Sequence, residues 1–303
     1  MKVLICDATE QSAVDQIEAA GIEVDNRPDV TPEQLMQILR DYDGMVVRSR
    51  TKVRAALIDA APGLKVIVRG GVGLDNIDVQ YARSKAITVL NTPAASSDSV
   101  AELTIGYLFA LARSIPQMTA SMKAGKWEKK AFTGSEIAGK VLGIVGLGRI
   151  GLATARRARA LGMDVIYYRR QRQPEIEAEL GIEYAALDEL FSRSDYISLH
   201  VPATAETRNL LNSAAIEKMK PGVFVINCGR GGTVDEDALY DGIVAGKVAG
   251  AALDVFADEP STGHKLFELK QVLGSPHVGA ATREAQERVG GEVADLLIQF
   301  SRR

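Results

Sequence analysis

The chain has 303 residues, 46% hydrophobic and 25% charged, and its 36 Lys and Arg against 39 Asp and Glu leave a net charge of −3. That composition excludes collagen, coiled coil and intrinsic disorder, and the length suits two domains better than one. The slightly acidic balance leaves no footprint for nucleic acid, and no apolar stretch reaches the roughly 18 residues of a membrane span.

Short apolar runs alternate with helical patterns over the first ninety residues. Lys2–Asp7, Met45–Arg48, Leu64–Val68 and Ile87–Leu90 read as strands, each rich in Val, Ile and Leu as buried parallel strands are. Between them, Thr31–Tyr42 reads as a helix, with Thr31 at the N-cap, Pro32 at the first helical position and Gln34 closing a capping box. Asn91–Ser99 (NTPAASSDS) breaks the pattern and reads as an interdomain linker. Val100–Gly125 follows as one long helical region, too apolar to face water on all sides. Strands resume at Val141–Val145, Val165–Tyr168, Tyr196–His200, Val223–Asn227, Val248–Leu253 and Gln271–Leu273, and a final helix runs from about Thr282 to Phe300. Alternation of this kind predicts α/β architecture: two Rossmann-like, doubly wound parallel-sheet domains with a cleft between them. The expected division is a discontinuous, flavodoxin-like substrate domain (1–93 plus 283–303) and a dinucleotide-binding domain (94–282). Cys6 and Cys228 are the only cysteines and lack any Cys/His ligand spacing. A reducing cytoplasm and no metal are expected, and the N-terminus opens directly on a strand, without a signal-peptide pattern.

Gly146-Leu147-Gly148-Arg149-Ile150-Gly151 is GxGxxG between a strand and a helix. In that context Gly146 permits the tight turn, Gly148 lets backbone approach a pyrophosphate, and Gly151 lets the helix pack closely. Arg149 and Ile150 open the helix whose N–H groups meet the phosphate.

Arg230 (NCGRGG), Glu259 (DVFADEP) and His277 (SPHVGA) each stand just past the C-terminal end of a strand, where an open α/β sheet gathers its ligand residues. Together they suit hydride transfer at a 2-hydroxy acid. An arginine can grip the carboxylate bidentately. A histidine can take the hydroxyl proton as hydride leaves, and a glutamate beside it stabilises the imidazolium. His200 and His264 are the rival histidines, one ending a strand beside Pro202 and the other in a polar loop.

The order GxGxxG, NCGRGG, ALDVFADEP, SPHVGAAT, with 29 residues from Arg230 to Glu259 and 18 from there to His277, resembles the D-isomer-specific 2-hydroxyacid dehydrogenase family. The likeness runs from RSRTKV through the final helix. It implies that Arg230 binds substrate, Glu259 tunes the histidine and His277 is the acid/base. It further implies that Asp254 and the Cys228 backbone hold the nicotinamide carboxamide, with Arg230, His277 and Gly279 beside them, and that His200, Val201, Pro202 and Thr207 border the adenosine. A subunit contact through residues 100–127 is implied as well, making the protein a homodimer.

VVRSRTKV, RGGVGLDNID and the 100–132 segment most resemble the branch of that family whose members oxidise 3-phosphoglycerate. Arg48, Arg50 and Arg69 lie at or just after first-domain strand ends, so at least two can reach a ligand. The Gly70-Gly71 loop can offer N–H groups to a carboxylate. By resemblance Arg48 and Arg69 face the substrate phosphate, and Lys129 reaches in from the partner subunit where animal members carry arginine. The chain stops at Arg303, short of the serine-sensing domains of many relatives, so no serine feedback is expected. A glyoxylate/hydroxypyruvate reductase, or a nucleotide-sensing corepressor of the same fold, are the alternatives.

NAD-specific relatives carry an acidic residue about 20 residues past the glycine loop. Here no Asp or Glu falls between Asp164 and Glu175, and Arg169 stands at that place. NADP(H) is therefore favoured, NAD(H) remaining possible, with Arg170 and Arg172 near enough to complete a clamp on the 2′-phosphate.

Overall fold

The Val-, Ile- and Leu-rich runs pair as parallel strands in two sheets of a computed structural model that describes residues 1–303. The chain divides into two units, 1–96 with 280–303 and 97–279.

In the first unit the order is β1 (Lys2–Ile5), α1 (Gln11–Ala19), β2 (Glu23–Asn26), α2 (Pro32–Ile38), β3 (Gly44–Val47), α3 (Ala55–Asp59), β4 (Val66–Arg69), α4 (Val79–Ser84) and β5 (Thr88–Asn91). The strands lie β2-β1-β3-β4-β5, all parallel, so the winding reverses between β1 and β3. Residues past those two strand ends, Asp7 and Arg48, therefore sit where such sheets bind ligands.

The second unit begins with α5 (Ser97–Arg113) and α6 (Ile115–Lys123). It continues β6 (Val141–Val145), α7 (Arg149–Ala160), β7 (Asp164–Tyr168), α8 (Pro174–Leu180), β8 (Glu183–Tyr184), α9 (Leu187–Arg193), β9 (Tyr196–Leu199), α10 (Ser213–Lys218), β10 (Val223–Asn227), α11 (Glu236–Val244), β11 (Val248–Leu253) and β12 (Val272–Gly274). The sheet order β12-β11-β10-β9-β6-β7-β8 reverses between β6 and β9. The register aligns Val145, Leu199, Asn227, Leu253 and Gly274 in one row across five strands. The loops after β6, β7, β9, β10, β11 and β12, which carry the glycine-loop and catalytic candidates, thus leave the sheet at the same end. Val100, Leu108 and Leu111 of α5 pack with Leu147, Ala155 and Ala158 over one face.

The last helix, α12 (Arg283–Ser301), is capped by Thr282, whose hydroxyl accepts from the Ala285 N–H, and it belongs to the first unit. There Val289, Val293 and Leu297 pack with Val14 and Ile17 of α1. That burial ties the two ends of the chain into one unit.

Three local expectations are corrected, and two strands were missed. The Thr31 capping box forms as read, but the α-helix stops at Ile38 and a 3₁₀ turn carries on to Asp41. The 100–125 region is two helices, broken at Ser114, which adopts the left-handed region at φ 50. The linker shrinks to 92–96, since Asn91 ends β5 and Ser97 starts α5. Strands β2 (EVDN) and β8 (EY) were not legible: both are sheet edges and only partly buried, so neither needs an apolar run.

Candidate active site

Gly146 leaves β6 at φ 99, and a Cβ there would meet the His200 carbonyl and Val201 at 2.8 Å. A Cβ at Gly151 would overlap the Gly146 carbonyl, so only glycine lets α7 start this close to the turn. At Gly148 the Cβ position has no atom within 4 Å. The loop is tight on its protein side and open on its outer side, beside a helix N-terminus, as a bound pyrophosphate requires. The residues present fit a dinucleotide.

At the end of β7, the Arg169 guanidinium turns back to the Leu147 carbonyl of that loop at 3.4 Å. Arg170 is exposed, and its charge helps to lower the Glu206 carboxyl after the hydrogen bonds Glu206 accepts from Thr204 and from its own N–H. Arg172 is corrected: its guanidinium is held bidentately by Glu177 at 2.7–3.0 Å, which removes it from any phosphate clamp. Val201 lies against the glycine turn, and the Thr207 hydroxyl closes the 202–207 turn through the Pro202 carbonyl.

His277 and Glu259 meet directly, Nδ1 to Oε2 at 2.8 Å, with both side chains partly exposed. Burial pushes the Glu259 carboxyl up. Hydrogen bonds from His277 and the Phe256 N–H, with the charges of His277 and Arg230, more than offset that and hold it below its ordinary value. Because Nδ1 is engaged, Nε2 is the ring nitrogen left to face a substrate. Arg230 is in the same group; its Nη1 donates to the Gly229 carbonyl at 2.8 Å, and its own carbonyl accepts from Asn227 and Thr233. Cys228 is buried, consistent with a contribution through its backbone alone. Asp254 is 1% exposed. Its carboxylate accepts from Ser275, Val278 and Gly279, three of about four acceptor sites, leaving one for a ligand amide.

The rival histidines have other work. His264 joins Glu236 at 2.9 Å and accepts from the Leu266 N–H. His200 meets Ser198 through Nε2 at 2.8 Å, while its buried Nδ1 has no partner, and burial pushes the imidazole down to about 4.

In the first unit, Arg69 folds over Gly71, where a Cβ would overlap Nη1. Arg48 donates to Gln286 and to the Ala8 carbonyl, beside Gly70 in a small pocket floored by Val46, Val289 and Val293. Burial of Arg48 lowers its guanidinium from the usual value, outweighing the opposing charges of Asp7 and Glu10. Arg50, half exposed, is engaged by Asp7 at 2.8 Å and by the Cys6 carbonyl. Lys129 opens an exposed 3₁₀ turn in the second unit.

Sequence reading missed Asp7, Asn76 and Gln286. The buried Asp7 carboxylate accepts from the Arg48 N–H and the Thr51 hydroxyl, and Asn76 donates to the Arg48 and Thr51 carbonyls at 2.7 and 2.6 Å. An acidic residue directly after a buried strand was the available signal at Asp7. Nothing local marks the other two.

A glycine loop that fits a dinucleotide, a histidine–glutamate pair and an arginine gathered at one end of the sheet suit a nicotinamide-dependent oxidoreductase, and the comparisons give that class. The chain belongs to the D-isomer specific 2-hydroxyacid dehydrogenase family, whose NAD binding domain model matches residues 105–279. It is similar to hydroxypyruvate reductase of Thermotoga maritima, 52% identical over 270 residues that cover 88% of this chain and 87% of that one. It is also similar to D-3-phosphoglycerate dehydrogenase of Methanocaldococcus jannaschii, 46% identical over 98% of this chain but only 57% of that relative's length. Among solved structures, a Thermus thermophilus protein superposes with a TM-score of 0.91 at 34% identity, covering 99% of this chain and 97% of that one. No helix is long and apolar enough to cross a membrane.

Proposed function

We propose that this oxidoreductase interconverts 3-phosphoglycerate and 3-phosphohydroxypyruvate, the reaction that opens serine biosynthesis, and that it prefers NADP(H). The carrying observation is the first-unit group of Arg48 and Arg69 beside the Gly70-Gly71 loop, two cations that a small uncharged tail would not require. When bound, the nicotinamide supplies or receives a hydride at the substrate's C2. In reduction, His277 gives the Nε2 proton to the C2 oxygen, and Glu259 steadies the resulting charge change from Nδ1. Arg230 orients the carboxylate. Arg169 and Arg170 take the cofactor 2′-phosphate in place of the usual acidic residue. We read the chain as a cytoplasmic homodimer joined through residues 100–127, its two buried free cysteines suiting a reducing compartment.

Similarity to hydroxypyruvate reductase over most of both chains favours a second reading, in which the unphosphorylated three-carbon acid is the substrate. Steady-state rates with phosphohydroxypyruvate, hydroxypyruvate and glyoxylate separate the two. Arg48→Ala and Arg69→Ala should raise KM for phosphohydroxypyruvate about ten- to a hundredfold more than for glyoxylate, the scale of one charge-assisted hydrogen bond. Equal losses on both substrates would assign these arginines to the carboxylate or the fold.

A further inference from the structure

We propose that Tyr107 and Ser275 are positioning residues, forming a hydroxyl chain that acts through Asp254 on the backbone of the loop carrying His277. The inference rests on His277 as the acid/base.

His277 sits at φ 54, in the left-handed region that a non-glycine residue occupies only where its surroundings over-determine it. Asp254 provides that constraint. Its two oxygens grip the two N–H groups that follow the histidine, Val278 to Oδ1 and Gly279 to Oδ2, both at 2.8 Å. Upstream, the Ser275 N–H is held by the Leu253 carbonyl at 3.0 Å. The imidazole therefore hangs from a turn clamped on both sides, and its alignment with Glu259 depends on where the Asp254 carboxylate lies.

Tyr107 and Ser275 set that carboxylate. The Ser275 hydroxyl donates its one proton to Asp254 Oδ1, so it can only accept from the Tyr107 hydroxyl, 2.6 Å away. The direction is thus Tyr107 to Ser275 to Asp254, and successive bonds in a buried chain polarise and strengthen one another. Burial is the main cause that pushes the phenol up to about 12, so it remains a donor at every working pH. Tyr107 lies on α5, far along the sequence from the loop it braces, and no part of the hydride-transfer reading uses it.

The test measures Tyr107→Phe, Ser275→Ala, the double variant and Ser275→Thr, each shown to be folded by thermal denaturation. On the 2-oxo acid that the wild type reduces, Tyr107→Phe should lower kcat about three- to tenfold, the scale of one neutral hydrogen bond, and Ser275→Ala, which also loses the bond to the carboxylate, by at least as much. KM for the 2-oxo acid should stay within about twofold, the double variant should be no slower than Ser275→Ala, and Ser275→Thr should restore the rate. Amide hydrogen exchange across residues 275–280 should quicken in the two slow variants. Wild-type kcat in Tyr107→Phe, a loss carried by KM, or unchanged exchange would each overturn the proposal. A wild type inactive on every 2-oxo acid would overturn the acid/base reading instead, and the exchange rates would still decide the brace.

Discussion

Glu259 divides its carboxylate between two tasks, Oε2 against His277 Nδ1 at 2.8 Å and Oε1 against the Phe256 N–H at 3.1 Å. The second bond fixes the glutamate to its own loop, so the histidine is oriented by a group that is itself held.

His277→Ala should leave cofactor affinity nearly intact and cut kcat by about 10²–10⁴, the usual scale of positioned acid/base catalysis. Glu259→Gln keeps the shape but loses the charge and should cost about ten- to a hundredfold. Near-normal turnover in His277→Ala would remove the histidine from the chemistry.

The proposed cofactor preference rests on Arg169. The wild type should show kcat/KM for NADPH at least equal to that for NADH, and Arg169→Asp should reverse the order by repelling the 2′-phosphate. A wild-type preference for NADH above about tenfold contradicts the assignment, since one cationic hydrogen bond is felt at that scale. Arg172→Ala should leave the ratio unchanged, because its guanidinium is committed to Glu177.

Trp127 is 81% exposed and Met122 56%, both within the 100–127 segment proposed as the subunit contact. Light scattering at micromolar concentration should give a dimer, and Trp127→Glu should shift it toward monomer. A monomeric wild type refutes the interface.

Acid should weaken the fold through His200. Its imidazole titrates at about 4 when folded, against 6.5 for the ordinary group. As pH falls below 6.5 the unfolded chain binds the proton first, so stability drops until the folded form also protonates near pH 4. The drop is at most about 3 kcal/mol. Urea titrations at about pH 7 and about pH 4.5, on either side of most of that drop, should show a smaller loss for His200→Gln than for the wild type. Equal losses would place the acid sensitivity elsewhere.

Much of the architecture was legible because parallel strands buried on both faces must be apolar throughout, and the glycine loop must leave such a strand and open a helix. Arg230, Glu259 and His277 could be picked out by their place after strands β10, β11 and β12, since the row from Val145 to Gly274 brings them all to one end of the sheet. Charge identity at Arg169 was equally plain, being a property of one residue at one strand end.

What side chains do once they leave the backbone was decided only by tertiary structure. Arg50 and Arg172 carry the same charge as Arg48 and Arg169, yet each is captured by a carboxylate, Asp7 or Glu177, whose position no local pattern reveals. The edge strands β2 and β8 exist because a neighbour offers its backbone, without needing an apolar run of their own. The chain from Tyr107 through Ser275 to Asp254 joins residues up to 168 apart, and only the packed fold brings their hydroxyls and carboxylate within hydrogen-bond reach.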